Sequence, residues 1–202
     1  MYPSSLENII QSFMKLPGIG EKTAVRLAFS LLDFDEETLQ FFGESVANLK
    51  KQIKYCSRCG SLTDHDLCNI CSDKLRDASK LIVVKEPKDI FLFEKMGIFN
   101  GYYHVLGGVI LPIDDIGPAD LAIPSLLNRI KEEPIAEVVL AIGSGIEADT
   151  TALYIKKSIT DKNVVVTRLA SGIPIGADMD YVDALTLETA LQNRKEVLDT
   201  IS

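Results

Sequence analysis

Tyr55-Cys56-Ser57-Arg58-Cys59-Gly60-Ser61-Leu62-Thr63-Asp64-His65-Asp66-Leu67-Cys68-Asn69-Ile70-Cys71 holds all four cysteines of a 202-residue chain. The knuckles Cys56-x-x-Cys59 and Cys68-x-x-Cys71 stand eight residues apart. Two knuckles of this kind set four thiolates tetrahedrally around one zinc ion. The protein then fills every ligand position, so the site reads as structural rather than catalytic. Gly60 follows the first knuckle, where a tight turn helps. An iron–sulfur cluster, a redox pair and unliganded core cysteines are the competing readings. His65 lies between the knuckles and reads as an exposed loop residue.

Either side of this segment the hydrophobic period differs. Before it, Leu6, Ile9, Ile10, Phe13 and Met14 fall at helical spacing over residues 6–15. A second helix is expected from Glu21 to about Leu32, with Ala24, Leu27, Ala28 and Leu31 inward. Asp35 is placed to cap a third. On that helix Leu39, Phe42, Val46, Leu49 and Ile53 are expected to form a buried stripe. After the cysteines, four short apolar runs stand out: Leu81–Val84, Tyr102–Leu106, Val138–Ile142 and Val164–Val166. Helical stretches near 88–96, 118–131 and 147–159 separate them, with Pro118 suited to a first turn. A last helix is expected near 185–199. Strands alternating with helices imply βαβ units and a mainly parallel sheet. The expected fold is therefore mixed: an α-helical N-terminal region, a small zinc module and an α/β domain.

Apolar residues make up 47% of the chain, enough for a buried core. The formal net charge is -8. Residues 1–80 hold 10 Lys/Arg against 11 Asp/Glu, and residues 81–202 hold 11 against 18, so the acidity is mainly C-terminal. A local basic face in the first part is compatible with this balance. No apolar run approaches the ~18–20 residues of a membrane span. The start, Met1–Glu7, lacks the basic and apolar regions of a signal peptide. The expectation is a cytoplasmic protein without membrane association, its cysteines kept from lasting disulfides.

Between the first two helices lies Leu16-Pro17-Gly18-Ile19-Gly20-Glu21-Lys22-Thr23-Ala24. Proline ends one helix and two glycines permit a tight turn. Without Cβ atoms, Gly18 and Gly20 let a phosphate approach their amides. The following helix start adds free N–H groups and a favourable dipole. Lys22 and Arg26, four apart, share a face away from the inward stripe. Such contacts read the nucleic-acid backbone rather than its bases. An ordinary αα-hairpin whose turn needs glycine is the bland alternative. Lys50, Lys51 and Lys54 either extend the basic face or complement the third helix's C-terminus.

Taken together, these segments resemble the RecR family of recombination mediators over nearly 1–195. The carriers are the hairpin, Cys56-Ser57-Arg58-Cys59-Gly60 through Cys68-Asn69-Ile70-Cys71-Ser72-Asp73, and Tyr103-His104-Val105-Leu106-Gly107-Gly108 with Pro112 and Asp114–Pro118. Glu147-Ala148-Asp149-Thr150-Thr151-Ala152-Leu153-Tyr154 and the stretch Thr167–Asp178 agree as well. The resemblance implies a helix-hairpin-helix DNA-binding region at 1–54, a four-Cys zinc finger at 55–78, a Toprim domain at 79–172 and a Walker B-like segment with a helix at 173–202. It implies a nucleoid-associated, non-catalytic protein that binds DNA without sequence preference. Dimers join into tetrameric rings and work with RecO, in many bacteria also RecF, to help load RecA on single strands. Gly18, Gly20, Lys22, Thr23 and Arg26 fall where the family meets DNA, and Glu147 and Asp149 where RecO docks.

Two departures bear on chemistry. Toprim enzymes hold Mg²⁺ on a Glu after the first strand and on later aspartates. Here Lys85 takes that position, with Glu86 one residue late. Gly143-Ser144-Gly145 replaces the family's usual Asn-Pro-containing segment. The alternative function, a Mg²⁺-dependent Toprim nuclease or primase-like phosphotransferase, is disfavoured by Lys85. A nucleotide-binding reading of the Gly-Ser-Gly stretch has only a lone G-x-G behind it, and a βα turn is preferred. Arg168 reads equally as a DNA contact in a ring or as a salt bridge.

Overall fold

The computed structural model describes residues 2–161, 163–194 and 196. It divides into two compact units, Met1–Ile53 and Lys54–Ser202.

The first unit holds helices α1 (Ser4–Met14), α2 (Glu21–Ser30) and α3 (Glu36–Gln52). Ile10 of α1 packs on Ala24 and Ala28 of α2, with Leu6, Phe13, Ile19 and Val25 around them. Alanines on the inner face let the two helices approach closely. Leu27 and Leu31 are half-buried. Asp35 caps α3, accepting a hydrogen bond from the Thr38 amide at 2.7 Å, and this bond holds its carboxyl below the usual range. The expected stripe on α3 is amphipathic but not buried. Leu39, Phe42, Val46, Leu49 and Ile53 are all exposed, Val46 at 62%. The helical period identifies an apolar face, but it does not say what covers it.

The second unit begins with an antiparallel pair, β1 (Lys54–Tyr55) and β2 (Leu62–Thr63), and a short helix α4 (Asn69–Ser72). An alternating series follows: β3 (Lys80–Val84), α5 (Pro87–Met96), β4 (Tyr102–Val105), α6 (Ile123–Glu132), β5 (Glu137–Ala141), α7 (Ile146–Ser158), β6 (Val165–Arg168) and α8 (Ala184–Gln192). The sheet is parallel, in the order β4-β3-β5-β6. Both faces of β3 are covered, so its strand reads as a continuous apolar run. Leu81 and Val83 face one layer with Leu126, Ile130, Val138 and Ile155, while Ile82 and Val84 face another with Ile90 and Tyr103.

Helix α6 starts at Ile123 rather than at Pro118, with a proline in its own first turn. Pro118 instead sits in a turn that Asp120 closes by accepting the Gly117 amide at 2.8 Å. Of the last expected helix, 184–192 is helical, and 195 and 197–199 lie outside the described residues.

Candidate functional site

In the N-terminal unit the link between α1 and α2 is a turn closed by the Ile19 amide on the Leu16 carbonyl at 3.2 Å. Gly18 takes φ +79°, a left-handed conformation that a side chain would strain. Gly20 is the N-cap of α2, extended, and no side chain caps that helix. Its first amides therefore lack an internal acceptor. Lys22 and Arg26 are exposed and Thr23 is half-buried. No ion pair among the described residues engages Lys22 or Arg26. The exposed end of α2 thus offers unpaired amides, a dipole and two free cations to an anion.

In the second unit Cys56, Cys59, Cys68 and Cys71 converge, their sulfurs all within 4.8 Å of one another and all buried. Cys59 and Cys68 Sγ are 3.6 Å apart. That is too long for a disulfide and close to the about 3.8 Å expected between two thiolates on a tetrahedral zinc. Amides of Ser61, Cys68 and Cys71 donate to Cys59, Cys56 and Cys68 Sγ at 3.3–3.4 Å. Burial pushes the Cys56 thiol up, but the amides of Cys68, Cys59 and Arg58 outweigh it and bring it to about 7. Burial raises Cys68 to about 11. The Cys71 side chain and then burial raise Cys59. Four buried, converging sulfur donors suit a divalent cation that deprotonates them. The set fits structural zinc, which the chain's own ligands enclose.

The zinc module is tied to the α/β layers by two arginine clamps. Arg58, inside the first knuckle, grips Glu133 with Nε at 3.0 Å and Nη2 at 2.9 Å, and donates to the Cys71 carbonyl at 3.3 Å. Its guanidinium lies 4.3 Å from the Tyr102 ring centroid. Arg129, on the buried face of α6, holds the same carboxylate at 3.0 Å and donates to the Tyr103 carbonyl at 2.6 Å. Burial pushes Glu133 up, but the two arginines outweigh it and hold its carboxyl below the usual range. Arg76 pairs with Glu94, which also accepts the Tyr103 hydroxyl at 2.8 Å. The Val105 amide donates to the Cys59 carbonyl at 2.8 Å, which joins the knuckle to the end of β4. Sequence reading missed these clamps. The available signal was Arg129 itself, a cation on the apolar face of α6 with Ile123, Leu126 and Ile130.

His104 is buried, and its Nε2 lies 2.8 Å from the Ala122 carbonyl. Burial lowers its pKa to about 4. His65 is exposed in its loop. Asp114 and Asp115 form an exposed turn, and Asp178 caps locally by accepting the Asp180 amide at 3.4 Å.

At the C-terminal end of the sheet, β5 runs into Gly143-Ser144-Gly145, with φ +99° at Gly143 and +115° at Gly145. These glycines make the βα turn and edge a cleft of 720 Å³ that Arg168 also lines. Glu147 and Asp149 are exposed in the first turn of α7. Arg168 of β6 donates to Asp149 at 2.6 Å, which realises the salt-bridge alternative for that arginine. No helix among the described residues is long and apolar enough to cross a membrane.

Four family models match the chain, in order and almost end to end. They are described as RecR, helix-hairpin-helix over residues 6–49, RecR, four-cysteine zinc finger domain over 53–73, Toprim domain over 79–170 and RecR, C-terminal over 172–195.

Proposed function

The chain belongs to the RecR family, and on that premise we propose that it is a non-catalytic DNA-binding mediator of recombinational repair. The hairpin between α1 and α2 grips the phosphate backbone through the Gly18 and Gly20 amides, Thr23, Lys22 and Arg26. The observation that carries this reading is the exposed, uncapped start of α2 with two unpaired cations on one face, inside the matched helix-hairpin-helix segment. The work divides along the chain: 1–54 meets DNA, 55–78 is held by zinc, 79–172 is the Toprim scaffold, and 173–202 is a Walker B-like segment with a helix.

One hairpin makes few phosphate contacts, and the chain as a whole is acidic, at -8. Several hairpins in one assembly multiply weak contacts through effective concentration. The mediator therefore acts as a dimer that closes into a tetrameric clamp. The uncovered α3 stripe supports self-association. Its spacing of three, four, three and four residues is that of a helix seam meeting another helix. The acidic turn at Glu147 and Asp149 is the docking surface for RecO, with RecF a further partner, in helping to load RecA on single strands.

The test is DNA binding against salt, with light scattering on the same samples and a Mg²⁺-supplemented cleavage assay beside them. Salt-sensitive binding by a tetramer, without product, is the expected result. The second reading, a Mg²⁺-dependent nuclease or phosphotransferase, has the Toprim match behind it. Product that EDTA abolishes decides for it. Absence of DNA binding in a monomer or dimer overturns the clamp.

A further inference from the structure

Ligands of open α/β sheets bind outside the carboxyl ends of the strands. In a Toprim enzyme that end holds Mg²⁺, which demands carboxylate oxygens in near-octahedral array. The residues here do not fit such a site. β3 leads into Lys85-Glu86, β4 into Leu106-Gly107-Gly108 and β5 into Gly143-Ser144-Gly145. A lysine thus follows β3 and a glycine follows β5, the two central strands, and Gly107-Gly108 comes just after edge strand β4.

Two of the three carboxylates that remain nearby are engaged. Glu86 is the N-cap residue of α5, and its side chain meets Lys88 at 2.7 Å and Lys85 at 4.0 Å. Lys88 holds that carboxyl below its usual range. Asp149 is bound by Arg168 Nη1 at 2.6 Å. Glu147 projects from the same turn as Asp149 and is exposed. Among the described residues, the four cysteines are the one group of three or more His, Cys, Asp or Glu side chains close enough to share a metal ion.

We infer that this end of the sheet is an acid site with a built-in counter-ion: the Arg168 guanidinium occupies the cation position beside Asp149, and Lys85 excludes a divalent ion from the end of β3. The inference deepens the non-catalytic half of the proposed function and is independent of DNA binding. A guanidinium is weakly hydrated and stays charged, and Arg168 reaches Asp149 through its Nη1. Mg²⁺ gives up its waters reluctantly, and a cation already seated on the carboxylate repels it. Arg168 and Asp149 are each about half exposed, with side-chain exposures of 49% and 54%, so the pair adds little to stability. Its effect is on which cation the edge accepts. Removing both positive side chains should therefore leave the fold intact and create the missing affinity.

Mn²⁺ broadening of backbone amide NMR signals, read on the zinc-loaded full chain, tests this without an activity assay. Spectral dispersion reports the fold in the same experiment. The wild type should show no selective broadening at residues 143–151 with Mn²⁺ at about millimolar concentration, well above typical bound-ion affinities for a built site. Lys85→Glu combined with Arg168→Gln removes two positive charges and adds a carboxylate, and should bind Mn²⁺ at least about tenfold more tightly at those amides. Arg168→Lys, which keeps the cation, should behave as wild type. Selective sub-millimolar broadening in the wild type overturns the inference. So does a folded double variant that binds no better than wild type. Failure of DNA binding alone would leave it standing, and failure here would leave the hairpin reading standing.

Discussion

Arginine does opposite work in the two units. In Met1–Ile53, Arg26 stands exposed beside Lys22 with no ionic partner among the described residues. In Lys54–Ser202, Arg58 and Arg129 share Glu133, Arg76 holds Glu94, and Arg168 holds Asp149. Hydrophobic burial follows the same division. The helical unit buries Ile10, Ala24 and Ala28 and leaves the whole α3 stripe uncovered, whereas the sheet is packed on both faces. A charge already satisfied inside its own fold has little left to offer an external phosphate. A free charge beside an uncapped helix start has all of it. On the proposed function, the first unit binds and the second supplies rigidity.

The largest effect should come from zinc. Cys59→Ser removes a buried ligand at the point where the knuckle's carbonyl accepts the Val105 amide. Zinc content should fall and the second unit should lose more than about 4 kcal/mol in urea unfolding, the scale of a lost structural metal. Unchanged metal content and melting temperature would break the comparison at its strongest point. Next is Arg129→Met, which leaves Glu133 with one partner in a half-buried setting. A cost of about 2–3 kcal/mol is expected, after discounting for the exposure of Glu133.

The third effect is acid sensitivity. His104 is held neutral in the fold, with its pKa lowered to about 4, while in the unfolded chain it titrates near 6.5. Protons therefore bind the unfolded state preferentially below about pH 6.5. Stability should fall as pH drops from about 6.5 to about 4, by up to about 3 kcal/mol. Glu133, its carboxyl held low, adds a loss at lower pH as its ion pairs are protonated. In His104→Gln the first part of this slope should disappear. A slope as steep as wild type would assign it to other groups. The smallest effect on stability is expected from Lys22→Ala with Arg26→Ala, within about 0.5 kcal/mol, because both are exposed and unpaired.

Much of this was legible in the sequence because the signals were local. Two glycines and a proline mark the hairpin, two knuckles mark the metal, and apolar runs at βαβ spacing mark the sheet. What was not legible depends on distant partners. Arg58 and Glu133 are 75 residues apart, and no local pattern links them. The α3 stripe shows the same gap from the other side. Its period reveals an apolar face, but the core of the first unit is complete without it. The start of α6 moved from Pro118 to Ile123 because Gly117 and Asp120 spend those residues on a turn.

The central claim is that the unpaired cations of the hairpin hold DNA while the clamped ones of the second unit hold structure. Fluorescence anisotropy with a labelled single strand and a labelled duplex, across a salt series, tests it on the wild type and on Lys22→Ala/Arg26→Ala. The expected outcome is a loss of affinity of about 100-fold or more at low salt, with a salt dependence shallower by about one counterion per phosphate contact removed. The melting curve should be unchanged. A double variant that binds both DNAs as tightly as wild type, with the same salt slope, would contradict the account.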